Sequence, residues 1–207
     1  VLADRYGTGE VRLSPAQAFV IPHISDRVVG ELAEEPLVKQ FAYNPSPLYK
    51  GLVSCVGSDY CNLAVIETKS RAVETARVLE RKLGEGLKPI TLHWSGCPAG
   101  CGNHLVADIG LLGKKARVGG KVVDAVDIFV GGRSGPDPKL ATKIMEDVPC
   151  DKLPAVLENL MPYHTREKMH RVRGKAAPKP TGSGKPAPSG NEATGAISSL
   201  TPQPFPA

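Results

Sequence analysis

Four of the five cysteines fall into two short pairs, and nothing else in the chain limits its fold so tightly. Cys55 and Cys61 form a C-x5-C pair, Cys97 and Cys101 form a C-x3-C pair, and 35 residues lie between the two pairs. Each pair occupies a loop that follows a predicted strand, flanked by Gly57, Gly96, Gly100 and Gly102. Glycine permits close backbone approach and turns amides inward, which suits a sulfide-rich cofactor tuned by hydrogen bonds to sulfur. Four thiolates from two loops can hold an iron–sulfur cube. Structural zinc also takes four cysteines, although usually at shorter C-x2-C-like spacing, and a buried or redox-pair role is the third reading.

An odd cysteine count, in a 207-residue chain whose 41% hydrophobic content is enough for a core, argues against a disulfide scaffold. The thiols are expected to be reduced, and Cys150, beside Pro149, is expected to be a buried structural thiol. No apolar run approaches membrane-spanning length, which argues against a membrane span. The net charge of +5 is too small to point to nucleic acid, and 5% aromatic residues offer little base-stacking surface. The opening Val1-Leu-Ala-Asp-Arg-Tyr has neither an initiator methionine nor a basic-then-apolar leader, and reads as the interior of a longer chain.

The predicted organisation has three parts: residues 1–47, 48–173 and 174–207. The last holds seven Pro, five Gly and four Ser among 34 positions, too little apolar surface to offset ordering entropy, so a disordered tail is expected. Its Gly182-Ser-Gly-Lys185 run lacks the rest of a phosphate-binding loop. In the first part, Glu10–Leu13 reads as a strand, Ser14-Pro15 as a helix start, and 26–33 as a helix. From Gly51 the pattern is a strand at Leu52–Ser54, a cysteine loop, a helix from about Asn62 to Leu83, and a strand over 89–94 leading to the second cysteine loop. Strands at 106–113 and 122–131 follow, joined at Gly119-Gly120, and helices are predicted over 138–147 and 151–161. Strands interleaved with helices give an α+β fold of mixed α/β layers.

His93 and His104 bracket the second loop. They can complete a mixed Cys/His site or simply be satisfied by backbone hydrogen bonds. His23, His164 and His170 have no supporting neighbours. Gly131-Gly132-Arg133-Ser134-Gly135 can cradle an anionic group through open amides and the Arg133 guanidinium, or form a plain strand-to-helix turn. Trp94 and Tyr60, next to the cysteines, are expected to pack against an apolar pocket.

Cys55-Val-Gly-Ser-Asp-Tyr-Cys61-Asn-Leu-Ala, followed by His93-Trp-Ser-Gly-Cys97-Pro-Ala-Gly-Cys101-Gly, resembles the cluster motif of the sirohaem and [4Fe-4S] nitrite and sulfite reductases. Val106-Ala-Asp-Ile-Gly-Leu-Leu-Gly113 and Val126-Asp-Ile-Phe-Val-Gly-Gly132 resemble that family's continuation, closest to its ferredoxin-dependent nitrite reductases. Gly9-Glu-Val-Arg-Leu-Ser, with Gln17, is similar to the second of the family's two ferredoxin-reductase-like half domains.

The resemblance covers about residues 1–170 and only the carboxyl-terminal half of a whole enzyme. It implies a nitrite/sulfite reductase haemoprotein-type domain over 48–173, preceded by a ferredoxin-reductase-like half domain over 1–47. Cys55, Cys61, Cys97 and Cys101 would ligate a [4Fe-4S] cluster, with Cys101 also bridging to sirohaem iron and Arg133 a candidate for cofactor binding. The implied reaction is the assimilatory, six-electron reduction of nitrite to ammonium with ferredoxin as electron donor. The missing amino-terminal half would supply most of the anion-binding side chains. Localisation would be cytoplasmic, or the plastid stroma in a photosynthetic eukaryote. Two alternatives stand beside this reading: a sulfite reductase of the same family, and a non-catalytic metal-binding module or degenerate paralogue.

Overall fold

The apolar runs around Leu52, Leu92, Ile109 and Val126 collect into one five-stranded sheet. A computed structural model of the chain describes residues 1–41, 43–84 and 87–161. The expected tail over 174–207, with its Gly182–Lys185 run, lies outside the described residues, as do His164 and His170. Contacts among the described residues gather into two units, one built from Val1–Ser14 and Ala18–Ser46, the other from Pro15–Gln17 and the chain from Pro47 onward.

The smaller unit holds α1 (Leu2–Tyr6), α2 (Asp26–Ala33), α3 (Pro36–Lys39) and an antiparallel hairpin of β1 (Arg12–Leu13) and β2 (Phe19–Val20). Its buried apolar residues are Ala3, Tyr6 and Ala33, while Leu13, Phe19 and Val20 stay exposed. The helix expected to start at Ser14-Pro15 does not form. The Ser14 N–H donates to Ala18 O at 2.8 Å, closing a turn between the two strands, and Gln17 takes a left-handed φ of 58° within it.

The larger unit begins with α4 (Pro47–Lys50) and β3 (Leu52–Ser54), then crosses through α5 (Lys69–Leu83) to β4 (Leu92–Ser95). A 3-10 turn at His104–Val106 leads to β5 (Ile109–Val118), β6 (Lys121–Val130) and β7 (Thr142–Pro149). Residues 153–161 form a further helix, α6, as expected. The sheet order is β3-β4-β5-β6-β7. The pairs β3/β4 and β4/β5 are parallel, and β5/β6 and β6/β7 antiparallel.

Alternate residues Leu92 and Trp94, Ile109 and Leu111, and Val126 and Ile128 build the core together with Ala72, Ala76 and Leu79 of α5 and Leu153, Leu157 and Met161 of α6. Period two on the strands therefore meets helical spacing on α5 and α6. Each fully buried aliphatic side chain contributes about 2 kcal/mol by leaving water. Asp127, on an adjacent position of β6, is also buried. Burial pushes its carboxyl up, but the Asp147 N–H, Lys114 and Lys143 outweigh this and hold it below the ordinary carboxylate range.

Two helix expectations are corrected. Residues 142–149 form strand β7 rather than part of a helix over 138–147, because pairing with β6 satisfies a row of β6 backbone groups that would otherwise be an open edge. The long helix starts at Lys69 rather than Asn62. Glu67 accepts from the Ser70 N–H at 2.9 Å and the Arg71 N–H at 3.2 Å, satisfying free donors of the first turn, and the chain before it is committed to the cysteine loop.

Candidate metal centre

Adjacent parallel strands end at the same edge of a sheet, and here each opens into a cysteine loop. Ser54 pairs in register with Trp94, so Cys55 leaves β3 beside the point where Cys97 follows β4. The Cys55 N–H continues the ladder to Trp94 O at 3.0 Å. The Gly96 N–H then donates to Cys55 Sγ at 3.1 Å, tying the second loop to the first sulfur. A Cβ on Gly96 would lie 3.2 Å from Ala64 Cβ, Ile66 O and Thr68 Cγ2, so a side chain there would push the loops apart. Val65 N–H donates to Gly96 O at 3.0 Å, and Ser58 N–H to Ile66 O at 3.0 Å, folding the chain after Cys61 back onto both loops. Thr68 donates its hydroxyl to Cys55 O at 2.7 Å and lies 3.5 Å from Cys55 Sγ.

The second loop is organised from within. Ser95 Oγ accepts from the Gly102 N–H at 3.1 Å and is hydrogen-bonded to His104 Nδ1 at 3.0 Å. The Gly100 N–H donates to Cys97 O at 3.2 Å and the Asn103 N–H to Gly100 O at 2.8 Å. Cys55, Cys61 and Cys97 are half-buried, while Cys101 is exposed. Cys150 lies in the core, where burial pushes its thiol up to about 11, as expected of a structural cysteine. Among the described residues, no three His, Cys, Asp or Glu side chains form a group that could hold a metal ion.

His93 Nδ1 lies 3.1 Å from Asn103 O and, facing a carbonyl, carries the proton and donates. His104 stacks edge-on against Phe129 at 5.2 Å. Burial lowers the pKa of both imidazoles, in His104 with help from His93, so both favour the neutral form. His93 thus has the backbone partner that one of the two readings required, and His104 bonds a hydroxyl instead. Arg133 is folded onto Asp137, with Nε on the Asp137 carbonyl at 2.6 Å and Nη2 on its carboxylate at 2.5 Å. Its glycine-rich segment leads to a strand, not to a helix. Trp94 is fully buried in the core beneath the sheet, but Tyr60 is 84% exposed and packs against no pocket. Thr68 and Ser95 were not singled out by their sequence pattern. A hydroxyl beside each cysteine loop was the available signal.

Residues 50–181 match the family described as Nitrite and sulphite reductase 4Fe-4S domain. The chain belongs to this family. Nitrite and sulphite reductase membership implies a [4Fe-4S] cluster and sirohaem as cofactors. The chain is 49% identical to a ferredoxin–nitrite reductase of Synechococcus elongatus, over 77% of this chain and 31% of that protein. It is 44% identical to a chloroplastic ferredoxin–nitrite reductase of Zea mays, over 77% of this chain and 28% of the relative. The solved Mycobacterium tuberculosis NirA protein superposes with a TM-score of 0.68 at 30% identity, covering 76% of this chain and 30% of that one. The chain therefore spans less than a third of the length of these relatives. No helix among the described residues is long and apolar enough to cross a membrane.

Proposed function

We propose that this chain is the cluster-bearing, carboxyl-terminal part of a ferredoxin–nitrite reductase, with Cys55, Cys61, Cys97 and Cys101 as the cluster ligands. The observation that carries the reading is the Gly96 N–H on Cys55 Sγ, which joins two cysteine loops at one sheet edge. An N–H aimed at sulfur is the kind of hydrogen bond by which a protein tunes an iron–sulfur cluster. The donor set fits: four thiols, none needed for the core, set in loops whose glycines leave no Cβ in the way. When bound, the cluster would relay single electrons from reduced ferredoxin, and sirohaem would carry nitrite through its six-electron reduction to ammonium.

The chain's own residues orient and bias this site. Gly96 donates to the Cys55 sulfur, Thr68 fixes the Cys55 carbonyl, and Ser95 holds the peptide that follows Cys101. Cys101 would be the ligand shared with sirohaem, and its exposure suits a sulfur that must face a second group. Residues 1–47 are read as the second ferredoxin-reductase-like half domain and 48–173 as the cluster domain. The remaining length of the relatives would supply the other half and most contacts to nitrite and the haem carboxylates. A net charge of +5 would speed encounter with an acidic ferredoxin rather than add much affinity.

The test uses the complete enzyme, purified anaerobically, with its visible spectrum, iron, zinc and acid-labile sulfide. Tetrapyrrole bands with iron and sulfide are expected, and Cys101→Ser should lose nitrite turnover while Cys150→Ser keeps it. Stoichiometric zinc in a colourless protein, or full turnover by Cys101→Ser, would overturn the reading. Relative turnover of nitrite and sulfite by the parent enzyme decides between the two reductase activities.

A further inference from the structure

We propose that Gln17 is a positioning residue for the first cysteine, its side-chain amide pairing with the open edge of β3 at the Ser54 peptide and holding Cys55 in line. The inference rests on Cys55 being a cluster ligand. β3 is the terminal strand of its sheet, with β4 on one side only. Because the Cys55 N–H points to Trp94 O, the N–H and C=O of Ser54 point the other way, off the sheet. Ser54 is 4% exposed, so leaving both groups unmade would be costly.

Gln17 meets both. Its Nε2 donates to Ser54 O at 2.6 Å, and its Oε1 accepts from the Ser54 N–H at 3.2 Å. The carboxamide thereby does for one residue what a neighbouring strand does for several. Lys69 Nζ donates to the same Oε1 at 3.0 Å and orients the amide. Lys69 also opens α5 directly after Thr68, whose hydroxyl is on the Cys55 carbonyl. Gln17 thus holds the two peptide groups that flank Ser54, and Thr68 holds the next one, after Cys55. The backbone of Gln17 is left-handed, φ 58°, a conformation rare for a residue other than Gly, Asn or Asp. Such strain persists where surrounding bonds over-determine it, and the three hydrogen bonds on this side chain do so. Among ordinary side chains, only a carboxamide offers a donor and an acceptor in one plane to answer a peptide. Glutamate would keep the acceptor and lose the donor; leucine would lose both.

The experiment compares the complete holoenzyme with its Gln17→Leu, Gln17→Glu and Cys55→Ala variants. It reads amide exchange of the 52–55 segment by mass spectrometry, iron release to a chelator, and the electron paramagnetic resonance spectrum of the reduced cluster. In Gln17→Leu, exchange over 52–55 should quicken roughly tenfold. Iron should leave faster and the resonance lines should shift or broaden. Gln17→Glu should fall between Gln17→Leu and the parent, which keeps the inference open to test if Gln17→Leu folds poorly. Unchanged exchange would show that the amide pair is not made. Faster exchange with unchanged iron release and spectrum would reduce Gln17 to a structural contact. Either result overturns the proposal. Cys55→Ala separates the two layers, because full iron and sulfide there would show that Cys55 is not a ligand, whatever Gln17 does.

Discussion

The two cysteine loops leave the same end of one sheet, yet they are held by opposite means. Cys55 is gripped by groups far away in sequence: Gln17 through Ser54, Thr68 through its carbonyl, and Gly96 through its sulfur. The chain beyond it stands out in solvent, with Leu63 73% exposed. Cys97 and Cys101 sit in a loop bonded chiefly to itself, from Ser95 to His104 within ten residues. A self-bonded loop can form as soon as its own strand does. A loop held by distant partners takes shape only when the rest of the unit is in place, and it is the one that should respond to changes elsewhere.

The largest test of that contrast is a pair of added methyl groups. At Gly102 a Cβ would come within 2.2 Å of Trp94 O, a main-chain atom inside the sheet, so Gly102→Ala should lose about 3 kcal/mol or more of stability. At Gly96 the nearest atoms lie at 3.2 Å, and Gly96→Ala should lose about 1 kcal/mol by letting the first loop give way. Urea unfolding of both variants checks this, and equal losses would break the comparison.

Next comes Ser95→Ala, which strands the Gly102 N–H and the buried His104 together and should lose about 2 kcal/mol in the same measurement. A loss near zero would mean that the second loop does not depend on its internal hub. The smallest effect is expected from Thr68→Val, at about 1 kcal/mol or less, because Ser54 Oγ still donates to Cys55 O at 2.9 Å. A loss above that of Ser95→Ala would reverse the order of the two loops.

The same contrast explains which parts could be read from the amino acids. The β5–β6 hairpin was legible because alternation and Gly119-Gly120 are local signals, and helix α2 because its periodicity lies within one short segment. Residues 142–149 were not. Lys, Ile, Met and Glu there suit a helix, and only the free edge of β6, contributed by residues 12 to 24 positions earlier in the chain, draws them into a strand. The stretch from Asn62 to Thr68 has helical composition too, but Val65 and Ile66 spend their backbone bonds on Gly96 and Ser58. The four cysteines stood out because thiols in paired spacing have few other uses. Gln17 stood out only within the resemblance to a half domain, and its hold on the first cysteine did not, since a glutamine bonded to a peptide 37 positions away leaves no sign of that bond in the sequence around it.

The strand register has a consequence for recognising such sites in other chains. The separation of the cysteine pairs in space is set by the pairing of Ser54 with Trp94, not by the number of residues that pass through α5 on the way. Whole helical turns can be inserted into or deleted from that crossover without displacing either loop, provided the helix still buries its inner face. A search pattern for this architecture should therefore keep the interval within each pair rigid and the interval between pairs elastic. A gene with a longer crossover would then be found rather than discarded.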